Sequence, residues 1–105
     1  RKDKEAALNY YKEALEFDPR NENLVYTLGD ICFSLRKIED AIHYFNLASE
    51  IKPAWADPYL KLGYVYLRQE DYQKAKENLN KFLKLEPDHP QAESIKEILA
   101  RLEKK

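Results

Sequence analysis

An offset of 34 residues constrains this chain more than any other feature. Leu28-Gly29 recurs as Leu62-Gly63, Ala41 as Ala75, Phe45 as Leu79 and Pro53 as Pro87. One step back, Ala7, Tyr11, Ala14 and Pro19 stand where Ala41, Phe45, Ala48 and Pro53 stand later. A fixed period of this size, held over three copies, marks a repeat array in which each unit completes its core on its neighbours. The stretch Ala56 to Pro87 is the fullest copy: two amphipathic segments joined by the polar turn Gln69-Glu70-Asp71 and closed by a proline. Such a chain is a binding or assembly scaffold.

Composition narrows the material of the repeat. The 105 residues suit one compact unit rather than two ordinary domains. Charged residues make up 35% of the chain but nearly cancel, at a formal net charge of −1, so no global field favours nucleic acid or an anionic membrane. Both glycines lie inside helical patterns rather than in turns, and Ala, Leu, Lys and Glu are abundant. That points to an all-helical protein. No apolar run is long enough to cross a bilayer and no signal-peptide pattern opens the chain, so a cytoplasmic setting is expected, with a periplasmic or membrane-tethered one as the alternative for a fragment of a longer chain. The opening Arg1-Lys2-Asp3-Lys4 leads us to expect a piece of something longer. A single cysteine excludes an internal disulfide framework and leaves the redox compartment open.

The periodicity predicts six helices. Asp3 to Phe17 places Ala7, Tyr11, Ala14 and Leu15 on one face and is stopped by Pro19. Asn21 suits the N-cap of Glu22 to Leu35, whose stripe is Leu24/Val25, Leu28, Cys32 and Leu35. After the turn Arg36-Lys37, Ile38 to Ile51 turns Ile38, Ala41, Ile42, Phe45 and Ala48 inward. Asp57 to Arg68 tolerates Pro58 in its first turn and has Tyr59, Leu62 and Tyr66 as its stripe. Asp71 can cap Tyr72 to Leu85, which buries Tyr72, Ala75, Leu79 and Phe82. Asp88 with Gln91 resembles a capping box for a last helix with Pro90 in its first turn, reaching Arg101 or Leu102 and burying Ala92, Ile95, Leu99 and Leu102. Gly29 and Gly63 each cost ~1 kcal/mol against alanine in a helix interior. Their recurrence predicts a close approach by another helix, with Ala41 and Ala75 on the facing surfaces.

These residues carry a resemblance. Tyr59-x-x-Leu62-Gly63-x-x-Tyr66, then Ala75-x-x-x-Leu79, then Pro87 resembles a tetratricopeptide repeat. Val25-x-x-Leu28-Gly29-x-x-Cys32, Ala41-x-x-x-Phe45 and Pro53 is similar, and Ala7-x-x-x-Tyr11 with Pro19 supplies a second half alone. Val25 and Tyr59 replace the usual tryptophan, Cys32 an aromatic, and Phe82 a small residue. The resemblance implies an all-α, right-handed α-solenoid of about two and a half repeats. Residues 3–21 would be a second half, 22–55 and 56–89 full repeats, and 90–105 a capping helix.

Chemistry is sparse. His43 and His89 are too few and too far apart in the repeat plan for a metal site, with His43 expected on a helix surface and His89 in a first turn. Cys32 stands where the next copy has Tyr66, which favours a packing residue over a nucleophile. The acidic residues occupy polar helix faces, and there is no glycine-rich phosphate loop or nucleophile elbow. No catalytic residue, cofactor or metal is expected, and the chain is not expected to be an enzyme. Lys74, Lys76, Lys81 and Lys84 share one helix but are interrupted by Glu77 and Glu86, which suits a solvated face better than a phosphate-binding stripe, so no nucleic-acid partner is expected. Trp55, just before the fourth helix, is expected to pack across the junction between pairs.

The resemblance implies that the first helix of each pair lines a concave groove, where residues not used in the core face a partner. Asn23, Tyr26, Thr27, Asp30, Phe33 and Ser34 fall there on the second helix. On the fourth, Asp57, Leu60, Lys61, Tyr64, Leu67 and Arg68 do. Tyr26, Asp30, Phe33, Lys61, Tyr64, Leu67 and Arg68 form the candidate peptide-binding set, with a protein or peptide as the partner. Leu60 and Leu67 suit packing on neighbouring helices almost as well. Lys61 and Arg68 are the only cations, so the set does not resemble the Lys, Asn and Arg clamp that some members use on a terminal carboxylate, and an acidic chaperone tail is disfavoured. A structural or self-assembly segment of a longer array is the other reading. The unpaired first helix favours self-association, since Leu8, Leu15 and Tyr10 would be left uncovered.

Overall fold

The computed structural model describes residues 2–104 and contains six α-helices: α1 (Lys2–Phe17), α2 (Glu22–Ser34), α3 (Ile38–Ile51), α4 (Asp57–Arg68), α5 (Tyr72–Leu85) and α6 (Ala92–Leu102). No strand occurs among the described residues, and no helix there is long and apolar enough to cross a membrane. The helices divide into two units, Arg1–Pro53 and Ala54–Lys105.

In the first unit α2 and α3 form a helical hairpin, and α1 packs on α2. Its core is Leu8, Val25, Leu28, Cys32, Ala41, Phe45 and Ala48. The close approach centres on Gly29: a β-carbon there would come within 2.6 Å of Phe45 Cε1, so no larger residue fits without moving the ring. In the second unit α4 and α5 form the equivalent hairpin, and α6 packs on α5. A β-carbon at Gly63 would collide with Leu79 Cδ2 and approach its Cγ to 2.7 Å. The glycines thus cost helix propensity and return interhelical contact. Leu62, Val65, Leu79, Phe82 and Ile95 close the core of this unit.

Both hairpin turns use one device. Arg36 and Glu70, again 34 residues apart, hold positive φ of 63° and 61°. The left-handed residue lets Lys37 N–H donate to Cys32 O at 2.8 Å and Asp71 N–H to Tyr66 O at 2.9 Å, satisfying carbonyls that the helix ends would leave open. Upstream of α2, Asn21 Oδ1 accepts from Leu24 N–H at 3.0 Å while its Nδ2 donates to Asp18. Asp71 Oδ1 accepts from Lys74 N–H at 3.3 Å at the start of α5.

Several local expectations need correction. Helix α6 starts at Ala92, and neither an Asp88–Gln91 capping box nor a proline inside its first turn is present. His89 takes that place: its Nδ1 accepts from Gln91 N–H, its carbonyl from Ala92 N–H, and its ring rests edge-on against Phe82 at 5.0 Å. Leu8 is buried rather than uncovered, because α2 packs on that side of α1, and Leu15 is half-buried. The open apolar residues of α1 are Tyr10 and Phe17, at 67% and 90% exposure. Val65 belongs to the core although it lies off the Tyr59, Leu62, Tyr66 stripe, and Tyr59, Tyr72 and Leu99 are only half-buried.

Candidate interaction surfaces

The seven candidate residues divide between the two units, and each set rides on the first helix of its hairpin. On α2, Val25, Leu28 and Cys32 close the core, which leaves Tyr26, Asp30 and Phe33 on the flanks, half-buried. The Tyr26 ring lies edge-on to Phe45 at 5.6 Å, so its stem is held by the core of its own hairpin. That immobilises the ring, and an aromatic already ordered costs little further entropy on binding.

On α4 the outcome is less simple. Leu60, expected in the groove, is buried and joins Ala56, Leu79, Phe82 and Ile95 in one apolar cluster. Tyr64 and Leu67 are half-buried and pack against that cluster, so they are not free of core duty. The reason is the width of the apolar stripe. The buried face of α4 is broader than a three- or four-residue spacing describes: Leu60 and Leu67 pack with Leu79 and Phe82 of α5, and Val65 is buried as well. Lys61 remains half-buried and Arg68 exposed. Phe33 and Leu67 are equivalent across the 34-residue offset, and both keep part of an apolar side chain open.

Elsewhere the side chains are committed within their own units. Cys32 is fully buried, and its thiol titrates above the usual range, chiefly through desolvation and then through Asp40, with Lys12 and Lys37 opposing. Burial likewise raises the phenol of Tyr44, assisted by Cys32 and Asp40. On α5, Lys74 Nζ lies over the Tyr66 ring at 5.6 Å, Lys81 Nζ over Tyr59 at 5.8 Å, and Lys76 faces Glu103 at 3.9 Å. His43 is exposed on α3, and Trp55 is half-buried before α4. Among the described residues no group of three or more His, Cys, Asp or Glu side chains is arranged to hold a metal.

The comparisons with known proteins agree with this architecture. Residues 1–63 match the family model described as tetratricopeptide repeat. The chain belongs to the tetratricopeptide repeat family. Residues 36–105 also match the model described as regulator of microtubule dynamics protein 1-3. Among curated proteins, heat shock protein STI1 of Saccharomyces cerevisiae is 29% identical over 92 residues, covering 87% of this chain and 16% of that protein. The STIP1 homologue of Dictyostelium discoideum is 29% identical over 96 residues, covering 91% and 17%. The chain therefore spans about one sixth of the length of these relatives. Among solved structures, the first TPR of Spaghetti (RPAP3) bound to the HSP90 peptide SRMEEVD has a TM-score of 0.84 at 22% identity, covering 97% of this chain and 79% of that one. The Arabidopsis OM64 TPR domain gives 0.86 at 22% identity, covering 95% and 83%. These likenesses establish the fold.

Proposed function

We propose that the chain is a protein-interaction module that binds a peptide or helical segment of a partner through α2 and α4. The observation that carries this reading is made in each unit by itself: Phe33 with Tyr26 on α2, and Leu67 with Tyr64 on α4. All four stay half-open although the hairpin cores behind them are complete. Partly ordered aromatic and aliphatic side chains of this kind are the usual anchors of a recognition surface. Asp30 on α2, and Lys61 and Arg68 on α4, add charge to these helices and would set the direction of the bound segment. The peptide complex of the Spaghetti domain, which shares the fold, supports a peptide as the class of ligand. Because Tyr26, Thr27, Asp30 and Asp57 with Lys61 and Arg68 do not make up the Lys, Asn and Arg carboxylate clamp, a segment with apolar anchors and a basic flank for Asp30 or Asp57 suits these helices better than an acidic tail.

The test is a binding panel read by fluorescence anisotropy on the folded chain, with SRMEEVD and amphipathic peptides carrying a basic flank as probes. The amphipathic peptides are expected to bind, and Phe33→Ala is expected to weaken them by about 30-fold, the equivalent of ~2 kcal/mol. SRMEEVD is expected to bind more weakly than they do. Tighter binding of SRMEEVD, lost on Arg68→Glu, would replace the basic-flank reading with an acidic-tail one.

A further inference from the structure

We infer that α3 of one copy of this chain docks alongside α5 of a second copy, parallel and in register, through side chains of opposite charge. The pairing is independent of the α2 and α4 surfaces and is carried by a comparison of the two full repeats. Five positions bear a formal charge in both repeats, and at every one the sign is inverted across the 34-residue offset. Within the helices, Asp40 becomes Lys74 and Glu50 becomes Lys84. In the turns before them Arg36 and Lys37 become Glu70 and Asp71, and just after them Lys52 becomes Glu86. The preceding offset follows no such rule, since Glu5 and Glu39, like Glu16 and Glu50, keep their sign. The inversion is therefore not a by-product of building a helix at these positions.

The helix charges stand where a neighbour can reach them. Asp40, His43, Leu47 and Glu50 follow the three- and four-residue spacing of one helix face, and so do Lys74, Glu77, Lys81 and Lys84. All are exposed except Leu47, which is half-buried. Among the described residues, Asp40 and Glu50 have no ion-pair partner in the first unit, and Lys74 and Lys84 have none in the second. Lys74 Nζ rests over the Tyr66 ring, which restrains the ammonium while leaving it exposed, so pairing with a carboxylate costs it less freedom. In the parallel register Asp40 meets Lys74 of the second copy, Glu50 meets Lys84, and the His43 ring can donate to Glu77. The Lys81 stem then covers Leu47, and Arg36 and Lys37 meet Glu70 and Asp71. An antiparallel approach keeps the outer pairs but sets His43 against Lys81 and Leu47 against Glu77, so the parallel one is favoured. An unrelated acidic helix would match Lys74 and Lys84 alone. A second copy supplies the partner for both faces.

A single exposed ion pair contributes little, so the contact depends on the aligned set and on low salt. The test is sedimentation velocity on the full chain at about 0.02 M and about 0.3 M salt. The parent is expected to associate at the lower salt, with a dissociation constant at least roughly tenfold larger at the higher. Asp40→Lys with Glu50→Lys makes both faces basic, and Lys74→Glu with Lys84→Glu makes both acidic. Each double variant alone is expected to weaken association at least roughly tenfold. An equimolar mixture of the two is expected to recover it, because each α3 then meets an α5 of opposite sign. Recovery in the mixture shows that the loss came from charge and not from a folding defect. A parent that stays monomeric at low salt would overturn the inference. So would double variants that associate as the parent does, or a mixture no stronger than its components. Salt-dependent unfolding of a monomeric parent, with a midpoint independent of concentration, would assign the matched charges to a single chain and overturn it as well.

Discussion

Arg36 and Glu70 sit in a left-handed conformation that non-glycine residues enter at a cost of ~1 kcal/mol or more. Neither long side chain is repaid by burial, since both are exposed. Arg36→Gly and Glu70→Gly are therefore each expected to stabilise their hairpin by ~0.5–1 kcal/mol, less the entropy glycine adds to the unfolded chain, as checked by urea unfolding. Gly63 stands at the opposite extreme. Gly63→Leu must displace Leu79 from a full core and is expected to cost ~3 kcal/mol, a large loss of cooperative unfolding that a variant as stable as the parent would contradict. Cys32 and Tyr44 give a pH dependence. Both groups titrate above their ordinary values in the folded chain, so the native state holds its protons longer than the unfolded one. Their contribution is intact below the ordinary thiol value of 9.0, and stability falls as pH rises past it. Cys32→Ala should begin from a lower stability and lose it less steeply above that pH, while the native thiol should react with an aromatic disulfide only as fast as the hairpin opens.

At the scale of the element, a cap and a stripe were legible to different degrees. Asn21 follows a proline-stopped helix and precedes an apolar stripe, and its side chain does cap α2. Asn21→Ala is expected to cost ~1 kcal/mol in thermal unfolding. The start of α6 was not legible, because it depends on His89 in the connecting segment resting against Phe82 of α5, a contact that no local pattern announces. Leu60, which suited groove and packing almost equally, was left undecided for a related reason. Spacing along α4 marks the centre of its apolar stripe but not its width, and width is set by the α5 side chains that reach over it. The same limit applies to α1. Counting apolar residues suggested Leu8, Leu15 and Tyr10 as uncovered; Tyr10 is open, but Leu8 is buried with α2 packed on α1, Leu15 is half-buried, and Phe17, which the count did not single out, is open too.

For the molecule as a whole, the fold was readable because the 34-residue offset repeats the constraint. Gly29 with Phe45 and Gly63 with Leu79 are two instances of one packing solution, and each makes the other harder to attribute to chance. The interaction surface was readable only in part, since Phe33, Tyr64 and Leu67 serve core and surface at once, and a sequence carries no sign of how a side chain divides its area. That division is also what the central claim turns on. The most direct measurement is made on one protein, Tyr64→Ala, by thermal unfolding and by affinity for the amphipathic peptide that binds the parent. A recognition role is expected to lower the affinity by about 30-fold while the variant remains folded, with a loss of stability no larger than a half-buried ring implies. Unchanged affinity in a well-folded Tyr64→Ala protein would contradict the account and place the partner on another surface.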